Sequence, residues 1–219
     1  MIKYVLFDLD GTLLSTLDTI TYHLNGTISA FSLGEVSVED TRQFIGNGAR
    51  KLVSRALSKN GVEDEATVSR VLEIYNHAYD SDPLPHTYPY EGVVELVEAL
   101  YERGITLGVV TNKPEPTAIK LVESFFPGKF AFVRGGKEGV ILKPDPTEAL
   151  ALLSGVGGDA SKCAFIGDTN VDIFTGKNMG AALSIGVSWG FRSREELLSA
   201  GADFVSGNAD EILKVILEH

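Results

Sequence analysis

Short apolar runs alternate along the chain with longer segments in which apolar residues recur at helical spacing. Six apolar runs predict buried strands, at residues 4–9, 105–110, 130–133, 163–166, 181–187 and 203–205. Between them, the spacing of Val93, Val97 and Leu100 predicts a helix that ends near Gly104. Parallel strands need crossover connections, so the alternation predicts an α/β fold: a Rossmann-like parallel sheet covered by helices on both faces.

The alternation is interrupted between residues 14 and 89. Here we find no convincing strand pattern, and helical spacing dominates, as in Leu17, Ile20, Leu24 and Ile28. A proline-rich stretch at 82–89 follows, which disfavours helix and predicts a return linker. We therefore predict a helical insertion at residues 15–88, and a catalytic α/β core formed by residues 1–14 and 89–219.

Composition narrows the possible functions. The 219 residues carry a formal net charge of −11, without a basic segment, which disfavours nucleic-acid binding. A phosphorylated ligand would need positive potential supplied locally. The single cysteine, Cys163, opens an apolar strand and indicates packing rather than a disulfide. Because no signal region or membrane span is recognisable, we expect a cytoplasmic protein without nucleic-acid or membrane partners.

Two carboxylates follow the first predicted strand. Alternation along an extended chain places Asp8 and Asp10 on one side, with Leu9 facing away. Gly11 permits a tight turn and the close backbone approach that an anionic ligand needs. The alternative is an ordinary surface Asp-Gly turn, which needs no partner elsewhere.

Polar side chains also follow two other strands, Thr111 and Asn112 after the second run, and Asp168 and Asp172 after the fourth. The carboxyl ends of parallel strands open on one edge of a sheet, so these residues should meet Asp8 and Asp10. Carboxylates brought together repel one another unless a hard cation neutralises them, and Mg²⁺ prefers oxygen ligands. The pattern therefore predicts a magnesium site.

Lys143, which precedes Pro144, could balance the charge of these carboxylates and of a phosphoryl group. A lysine before a proline is more often a solvated loop residue. By itself, this position does not distinguish the two interpretations.

Taken together, four ordered motifs, at residues 8–12, 111–112, 143–144 and 167–172, resemble those of the haloacid-dehalogenase superfamily of phosphohydrolases. The resemblance covers essentially the whole chain. The helical insertion between the first two motifs is similar to the superfamily's helical cap. Dehalogenases of this superfamily do not protonate an alcohol leaving group and lack the second carboxyl. The presence of Asp10 therefore disfavours a dehalogenase.

The resemblance implies a nucleophilic mechanism. Asp8 would attack phosphorus, and Asp10 would protonate the leaving oxygen and later activate water. Mg²⁺ would be held by the Asp8 carboxylate, the Asp10 backbone carbonyl and the Asp168 side chain, with Asp172 in support.

The same resemblance implies how the phosphoryl group is held. Thr111 and the backbone N–H of Asn112 would bind its oxygens, Gly11 would let the backbone approach, and Lys143 would neutralise charge.

Within the superfamily, residues 44–52 and 88–93 are similar to those of phosphoglycolate phosphatases. Gly46, Asn47 and Gly48 suit a loop that approaches a small ligand, and Arg50 could meet a carboxylate. The alternative is a helix start with Asn47 as N-cap and solvated cations. Ser15 stands where relatives often have Asp, which weakens the inference about the insertion and the substrate.

Several functions therefore remain open at this point. We expect a phosphatase that acts on 2-phosphoglycolate, a small phosphorylated metabolite, and that is a monomer or a homodimer. The alternatives are a phosphatase for pyrophosphate, a nucleotide or a sugar phosphate, a phosphomutase, a phospho-aspartate signalling module and a catalytically inactive binding protein.

Overall fold

The computed structural model describes all 219 residues and contains eight strands and ten α-helices. The strands are β1 (Tyr4–Phe7), β2 (Leu14–Ser15), β3 (Tyr88–Pro89), β4 (Thr106–Pro114), β5 (Phe132–Gly136), β6 (Cys163–Gly167), β7 (Leu183–Val187) and β8 (Phe204–Ser206). The helices are α1 (Leu17–Ser29), α2 (Val38–Phe44), α3 (Ala49–Lys59), α4 (Glu65–Ser81), α5 (Val93–Glu102), α6 (Glu115–Phe125), α7 (Thr147–Gly155), α8 (Asn170–Asn178), α9 (Arg194–Ser199) and α10 (Ala209–Glu218).

Six strands form one parallel sheet in the order β5-β4-β1-β6-β7-β8, as the alternation of strands and helices predicted. Strand β1 lies at its centre, with Tyr4 paired to Thr106 on one side and to Cys163 on the other. Because neighbouring strands run in the same direction, their carboxyl ends share one edge. We call it the catalytic edge, after the chemistry that the sequence predicts there.

Both faces of the sheet are covered. On one face, strand residues such as Val5 and Val109 pack against α5, α6 and α10 in a cluster of 25 buried residues. On the other face, Leu6 and Phe165 pack against α7 in a smaller cluster. Alternating strand residues thus bury their side chains on opposite faces, which explains why the central strands are apolar throughout.

The strand boundaries differ from the predicted ones at the catalytic edge. Strand β1 ends at Phe7 rather than at residue 9, because Leu9 starts a turn. The Leu9 carbonyl accepts hydrogen bonds from the N–H groups of Leu13 and Leu14 in that turn. Strand β4 continues through Thr111 to Pro114, beyond the predicted end at residue 110, with a shift in register between Val110 and Pro114. Apolar periodicity misplaces both ends, because Leu9 is a buried apolar residue of the turn and the extension of β4 contains the polar residues Thr111, Asn112 and Lys113.

The prediction that no strand occurs between residues 14 and 89 was wrong at its two ends. Strands β2 and β3 pair antiparallel, Leu14 with Pro89 and Ser15 with Tyr88. Two residues per strand are too few for a recognisable period of two. The predicted boundaries of the insertion fall within this ribbon.

Residues 15–88, which we call the helical unit, contain helices α1 to α4. They form a hydrophobic cluster of 12 buried residues separate from that of the sheet, with Leu24, Val53 and Val71 completely buried. Helix α1 packs on α4, and α3 also packs on α4. None of the helices in the chain combines the length and the apolar character that crossing a membrane requires.

Candidate active site

Asp8 follows directly after β1 and lies at the centre of the catalytic edge. Its backbone N–H donates to the carbonyl of Ile166, which continues the pairing with β6 by one residue. Lys143 Nζ lies 2.8 Å from Asp8 Oδ1 and 2.7 Å from Asp172 Oδ1. The lysine is thus a buried bridge between two carboxylates from different strand exits, not the solvated loop residue that its sequence context allowed.

The side chain of Asn112 holds the loop that carries Lys143. Its Oδ1 accepts from the Lys143 N–H at 2.9 Å, and its Nδ2 donates to the Lys143 carbonyl at 3.1 Å. The same Nδ2 donates to the Gly46 carbonyl in the helical unit, also at 3.1 Å. Asn112 therefore joins strand β4, the lysine loop and the helical unit, a role that the sequence did not indicate.

Asp168 and Asp172 are almost completely buried and are held by backbone and hydroxyl donors. Thr12 Oγ1 donates to Asp168 Oδ1 at 3.0 Å, and the Phe191 N–H donates to Asp168 Oδ2 at 2.8 Å. Asp172, at the third position of α8, accepts from both the N–H and the hydroxyl of Thr169 in a capping box. These contacts fix the orientation of both carboxylates.

Two glycines let the backbone approach Asp168. A Cβ atom on Gly11, whose φ is +85°, would lie 2.2 Å from Asp168 Oδ2, and one on Gly190 would lie 2.3 Å from Asp168 Cβ. Neither position has room for a larger residue. The prediction for Gly11 was a close approach to a ligand, and the structure shows a close approach to this carboxylate.

The carboxylates of Asp8, Asp168 and Asp172 form a tight group, with one oxygen of each within 4.8 Å of the others. Burial raises the pKa of Asp8 to about 6 even though Lys143 acts in the opposite direction. Burial, together with the charges of Asp172 and Asp8, raises the pKa of Asp168 well above its ordinary range. Three carboxylates and one ammonium leave an excess of negative charge.

Lys143 remains charged in this group. Burial disfavours its ammonium, but Asp172 and Asp8 outweigh that effect and raise its pKa above 10.5. The lysine cannot neutralise all three carboxylates. A site made of carboxylate oxygens with uncompensated charge fits a hard divalent cation such as Mg²⁺.

The side chain of Asp10 does not join the group of three, contrary to the expected convergence of four carboxylates. Lys113 Nζ lies 3.0 and 3.2 Å from its two oxygens and also donates to Tyr79 Oη at 2.9 Å. The Asp10 backbone carbonyl stays the predicted metal ligand from this residue.

A small cavity of about 60 Å³ lies between the catalytic edge and the helical unit. Asp8, Asp10, Thr111, Asn112 and Lys143 line it from the core. The helical unit contributes a second set of lining residues: Ile20, Ile45, Gly46, Gly48, Ala49, Leu52, Tyr75, Asn76 and Tyr79. The volume holds roughly four water molecules, and this space suits a small ligand.

The structure places two of the predicted ligand-binding residues away from the cavity. Arg50 is exposed and forms an ion pair with Glu65 on the outer surface of the helical unit. Asn47 is exposed too, and its Oδ1 accepts from Arg55 Nη2 at 2.9 Å. The N-cap of α3 is Gly48 rather than Asn47. Helical geometry directs Arg50 towards Glu65 and Ser69 of α4, and Arg50 does not line the cavity.

Comparison with known proteins agrees with this geometry. Residues 5–185 match the family described as Haloacid dehalogenase-like hydrolase. The chain belongs to this family. The phosphoglycolate phosphatase of Rhodospirillum rubrum is 37% identical over 209 residues, which cover 92% of this chain and 86% of the relative. The phosphoglycolate phosphatase of Vibrio parahaemolyticus is 33% identical over 98% of this chain and 96% of its own.

A solved structure from Lactobacillus delbrueckii subsp. bulgaricus, provisionally described as a phosphoglycolate phosphatase, superposes on this hydrolase with a TM-score of 0.91. It is 32% identical and covers 98% of both chains. The chain is therefore an enzyme of the haloacid dehalogenase-like hydrolase family, and its likeness is to the phosphatases within it.

Several site residues of this hydrolase escaped the sequence analysis. Lys113 and Tyr79 were not assigned roles, and the contributions of Thr12 and Phe191 to Asp168 were not foreseen. Lys113 directly follows the second motif, and this adjacency was an available indication. Tyr79 had none, because it lies 34 positions from Lys113 in another part of the fold.

Proposed function

We propose that this hydrolase is a Mg²⁺-dependent phosphatase that converts 2-phosphoglycolate and water to glycolate and phosphate through an aspartyl-phosphate at Asp8. One observation carries the proposal: Asp8 lines the cavity, with Lys143 at 2.8 Å and with Asp168 and Asp172 beside it. A nucleophilic carboxylate, a charge-neutralising ammonium and a cation site thus meet at one point.

In this proposal, Asp8, Asp168 and the backbone carbonyl of Asp10 hold Mg²⁺, and Asp172 supports both the site and Lys143. When bound, the metal supplies positive charge that offsets the carboxylates and polarises the phosphoryl group. The excess of buried negative charge in the structure supports this assignment. The oxygen donors match the preference of Mg²⁺.

The first chemical step transfers the phosphoryl group to the protein. An oxygen of Asp8 forms a bond to phosphorus as the bond between phosphorus and the ester oxygen breaks. Asp10 donates its proton to that leaving oxygen, which departs as the hydroxyl of glycolate. Lys143 and Thr111 bind the phosphoryl oxygens and offset the charge that builds up on them.

The second step returns the protein to its starting state. Asp10, now a carboxylate, accepts a proton from a water molecule as the water oxygen attacks phosphorus. The bond between phosphorus and Asp8 breaks, phosphate leaves, and both aspartates recover their original protonation.

The small cavity supports a small substrate. We propose that the helical unit acts as a cap, because its residues form one wall of the cavity and exclude bulk water from Asp8. 2-Phosphoglycolate adds only a short carboxymethyl group to the phosphate, which suits this space better than the base and ribose of a nucleotide would. The relatives named phosphoglycolate phosphatases support the same choice.

The test is phosphate release from 2-phosphoglycolate, pyrophosphate, nucleoside monophosphates and hexose phosphates, with Mg²⁺ and with EDTA. We expect turnover that needs Mg²⁺, that is highest for 2-phosphoglycolate and that is lost in Asp8→Asn. The matched control is Asp18→Asn, which changes an exposed aspartate in α1.

The outcomes separate the parts of the proposal. Equal turnover of all esters would overturn the substrate but keep the phosphatase. Isomerisation of a sugar phosphate without phosphate release would indicate a mutase. Unchanged turnover in Asp8→Asn would overturn the nucleophile.

A further inference from the structure

We infer that Lys113 is a positioning residue for Asp10 and that Tyr79 makes this positioning depend on the helical unit. This inference rests on the proposed function, in which Asp10 is the acid and base. It assigns roles to a lysine and a tyrosine that the proposed mechanism does not otherwise use.

Lys113 contacts both oxygens of the Asp10 carboxylate. Lys113 Nζ lies 3.0 Å from Oδ1 and 3.2 Å from Oδ2, so the ammonium faces both oxygens. No other group in the chain donates to this carboxylate. Its side chain is 14% exposed, more than that of Asp8, and it faces the cavity. Without Lys113, nothing else in the structure would hold the carboxylate in one orientation.

Lys113 is buried and also contacts Tyr79. Its side chain is only 4% exposed, and Nζ also donates to Tyr79 Oη at 2.9 Å and lies 4.1 Å from the centre of the Tyr79 ring. A buried ammonium needs such partners because it has lost its water. Lys113 stands in β4 of the core and Tyr79 in α4 of the helical unit, so the contact crosses between them.

Tyr79 is itself held firmly. It is 3% exposed, and its ring contacts those of His23 and Tyr75, with centroids 4.9 and 5.8 Å away. His23 Nε2 is in turn hydrogen-bonded to the Asp82 carbonyl at 2.8 Å. The hydroxyl of Tyr79 therefore has a defined position only where the helical unit is packed as in this structure.

The consequence concerns one step of the reaction more than the others. Proton donation by Asp10 matters when the leaving group is an alkoxide, as in 2-phosphoglycolate. It matters little for p-nitrophenyl phosphate, whose nitrophenolate leaves without a proton. Loss of Lys113 should therefore slow phosphoryl transfer from 2-phosphoglycolate more than phosphoryl transfer from p-nitrophenyl phosphate.

The experiment measures the first turnover of both esters, with Mg²⁺ present, in Lys113→Met, Lys113→Arg and Tyr79→Phe. For 2-phosphoglycolate we expect a loss of about 100-fold in Lys113→Met, the scale of a misplaced catalytic group. We expect about 3- to 10-fold in Tyr79→Phe, which removes one hydrogen bond of the Lys113 ammonium and leaves its contacts with Asp10 in place. Lys113→Arg should recover part of the rate, because it keeps the charge.

For p-nitrophenyl phosphate, the nitrophenolate burst should stay within about threefold of the unaltered protein in all three variants, since acid catalysis contributes little there. KM for 2-phosphoglycolate should also change little. The matched controls are Lys120→Met, an exposed lysine in α6, and Tyr22→Phe, an exposed tyrosine in α1. Thermal unfolding checks that every variant is folded.

Three results would overturn the inference: equal losses for both esters, a raised KM with unchanged kcat, which would make Lys113 a substrate-binding residue, or no loss at all. Tyr79→Phe supplies the answer if Lys113→Met does not fold. Asp10→Asn separates this inference from the proposed function. If that variant keeps its first turnover of 2-phosphoglycolate, the role of Asp10 itself is wrong; if it loses the turnover while Lys113→Met does not, only the inference fails.

Discussion

Two buried lysines hold carboxylates at the catalytic edge, and they differ in which parts of the chain they join. Lys143 contacts Asp8 and Asp172, and all three belong to the α/β core. Lys113 contacts Asp10 in the core and Tyr79 in the helical unit. The side chains of both lysines are 4% exposed, so they differ in their partners and not in burial.

The Asp8 group depends on packing within the core, whereas the position of Asp10 also depends on packing between the core and the helical unit. The proposed nucleophile, Asp8, and the proposed cation site lie at strand exits of one sheet. Asp10, the proposed acid and base, contacts Lys113, which in turn contacts Tyr79 in the helical unit with its own hydrophobic cluster. We therefore expect the nucleophile to be insensitive to changes in the helical unit and Asp10 to be sensitive to them.

The largest effect on activity should come from changing Asp8. Asp8→Asn removes the proposed nucleophile, so we expect phosphate release to fall at least about 10⁴-fold. Because both esters need the Asp8 carboxylate for attack, whether or not the leaving group needs a proton, p-nitrophenyl phosphate should lose as much as 2-phosphoglycolate. Steady-state assays of both esters check this. A variant that retained the nitrophenyl activity would contradict it.

A second prediction concerns the dependence of stability on pH in metal-free protein. The pKa of Asp8 is about 6 in the folded chain against an ordinary 3.8, so the folded state takes up a proton first as the pH falls. Stability should therefore rise from about pH 7 to pH 5, with the gain complete below 3.8 and at most about 3 kcal/mol.

Thermal unfolding with EDTA measures this dependence. Asp8→Asn should reduce it without abolishing it, because the raised pKa of Asp168 acts in the same direction. With saturating Mg²⁺ the direction should reverse, since protons then compete with the metal. A metal-free protein that loses stability between pH 7 and pH 5 would contradict the assignment.

A third prediction concerns the buried carboxylate of Asp168. Asp168→Asn keeps both hydrogen bonds, with Oδ1 accepting from the Phe191 N–H and Nδ2 donating to Thr12 Oγ1. We expect the melting temperature of metal-free protein to rise by about 2–4 °C, or about 1 kcal/mol, because repulsion is relieved. The stabilisation by Mg²⁺ should disappear. Calorimetry with and without Mg²⁺ measures both effects, and unaltered stabilisation would show that Asp168 is not a ligand.

The smallest effect should come from Arg50→Met. Its guanidinium pairs with exposed Glu65 outside the cavity, and such surface pairs contribute at most about 1 kcal/mol. KM for 2-phosphoglycolate should change by less than about twofold. The control is Lys51→Met, a second exposed cation of α3. A tenfold rise in KM would show that Arg50 reaches the substrate in another arrangement of the helical unit.

Much of the core could be predicted because its strands are apolar throughout and its chemistry follows them directly. The six strands were located in the right order along the chain, and the parallel sheet was confirmed. The spatial order of the strands was not predicted. The β2–β3 ribbon was missed, because two-residue strands have no period. The roles of Asp8, Asp10, Thr111 and Lys143 stay predictions, as does the choice between monomer and homodimer.

The sequence by itself determined which residues stand at strand exits, because alternation and turn chemistry are local properties. It placed Asp8, Asp168 and Asp172 on one edge before any distance was known. Only the tertiary structure decided that the Asp10 carboxylate pairs with Lys113, that Tyr79 completes this contact and that Arg50 points outward. These outcomes depend on how the helical unit packs on the sheet, and contacts between residues far apart in sequence leave no periodic pattern.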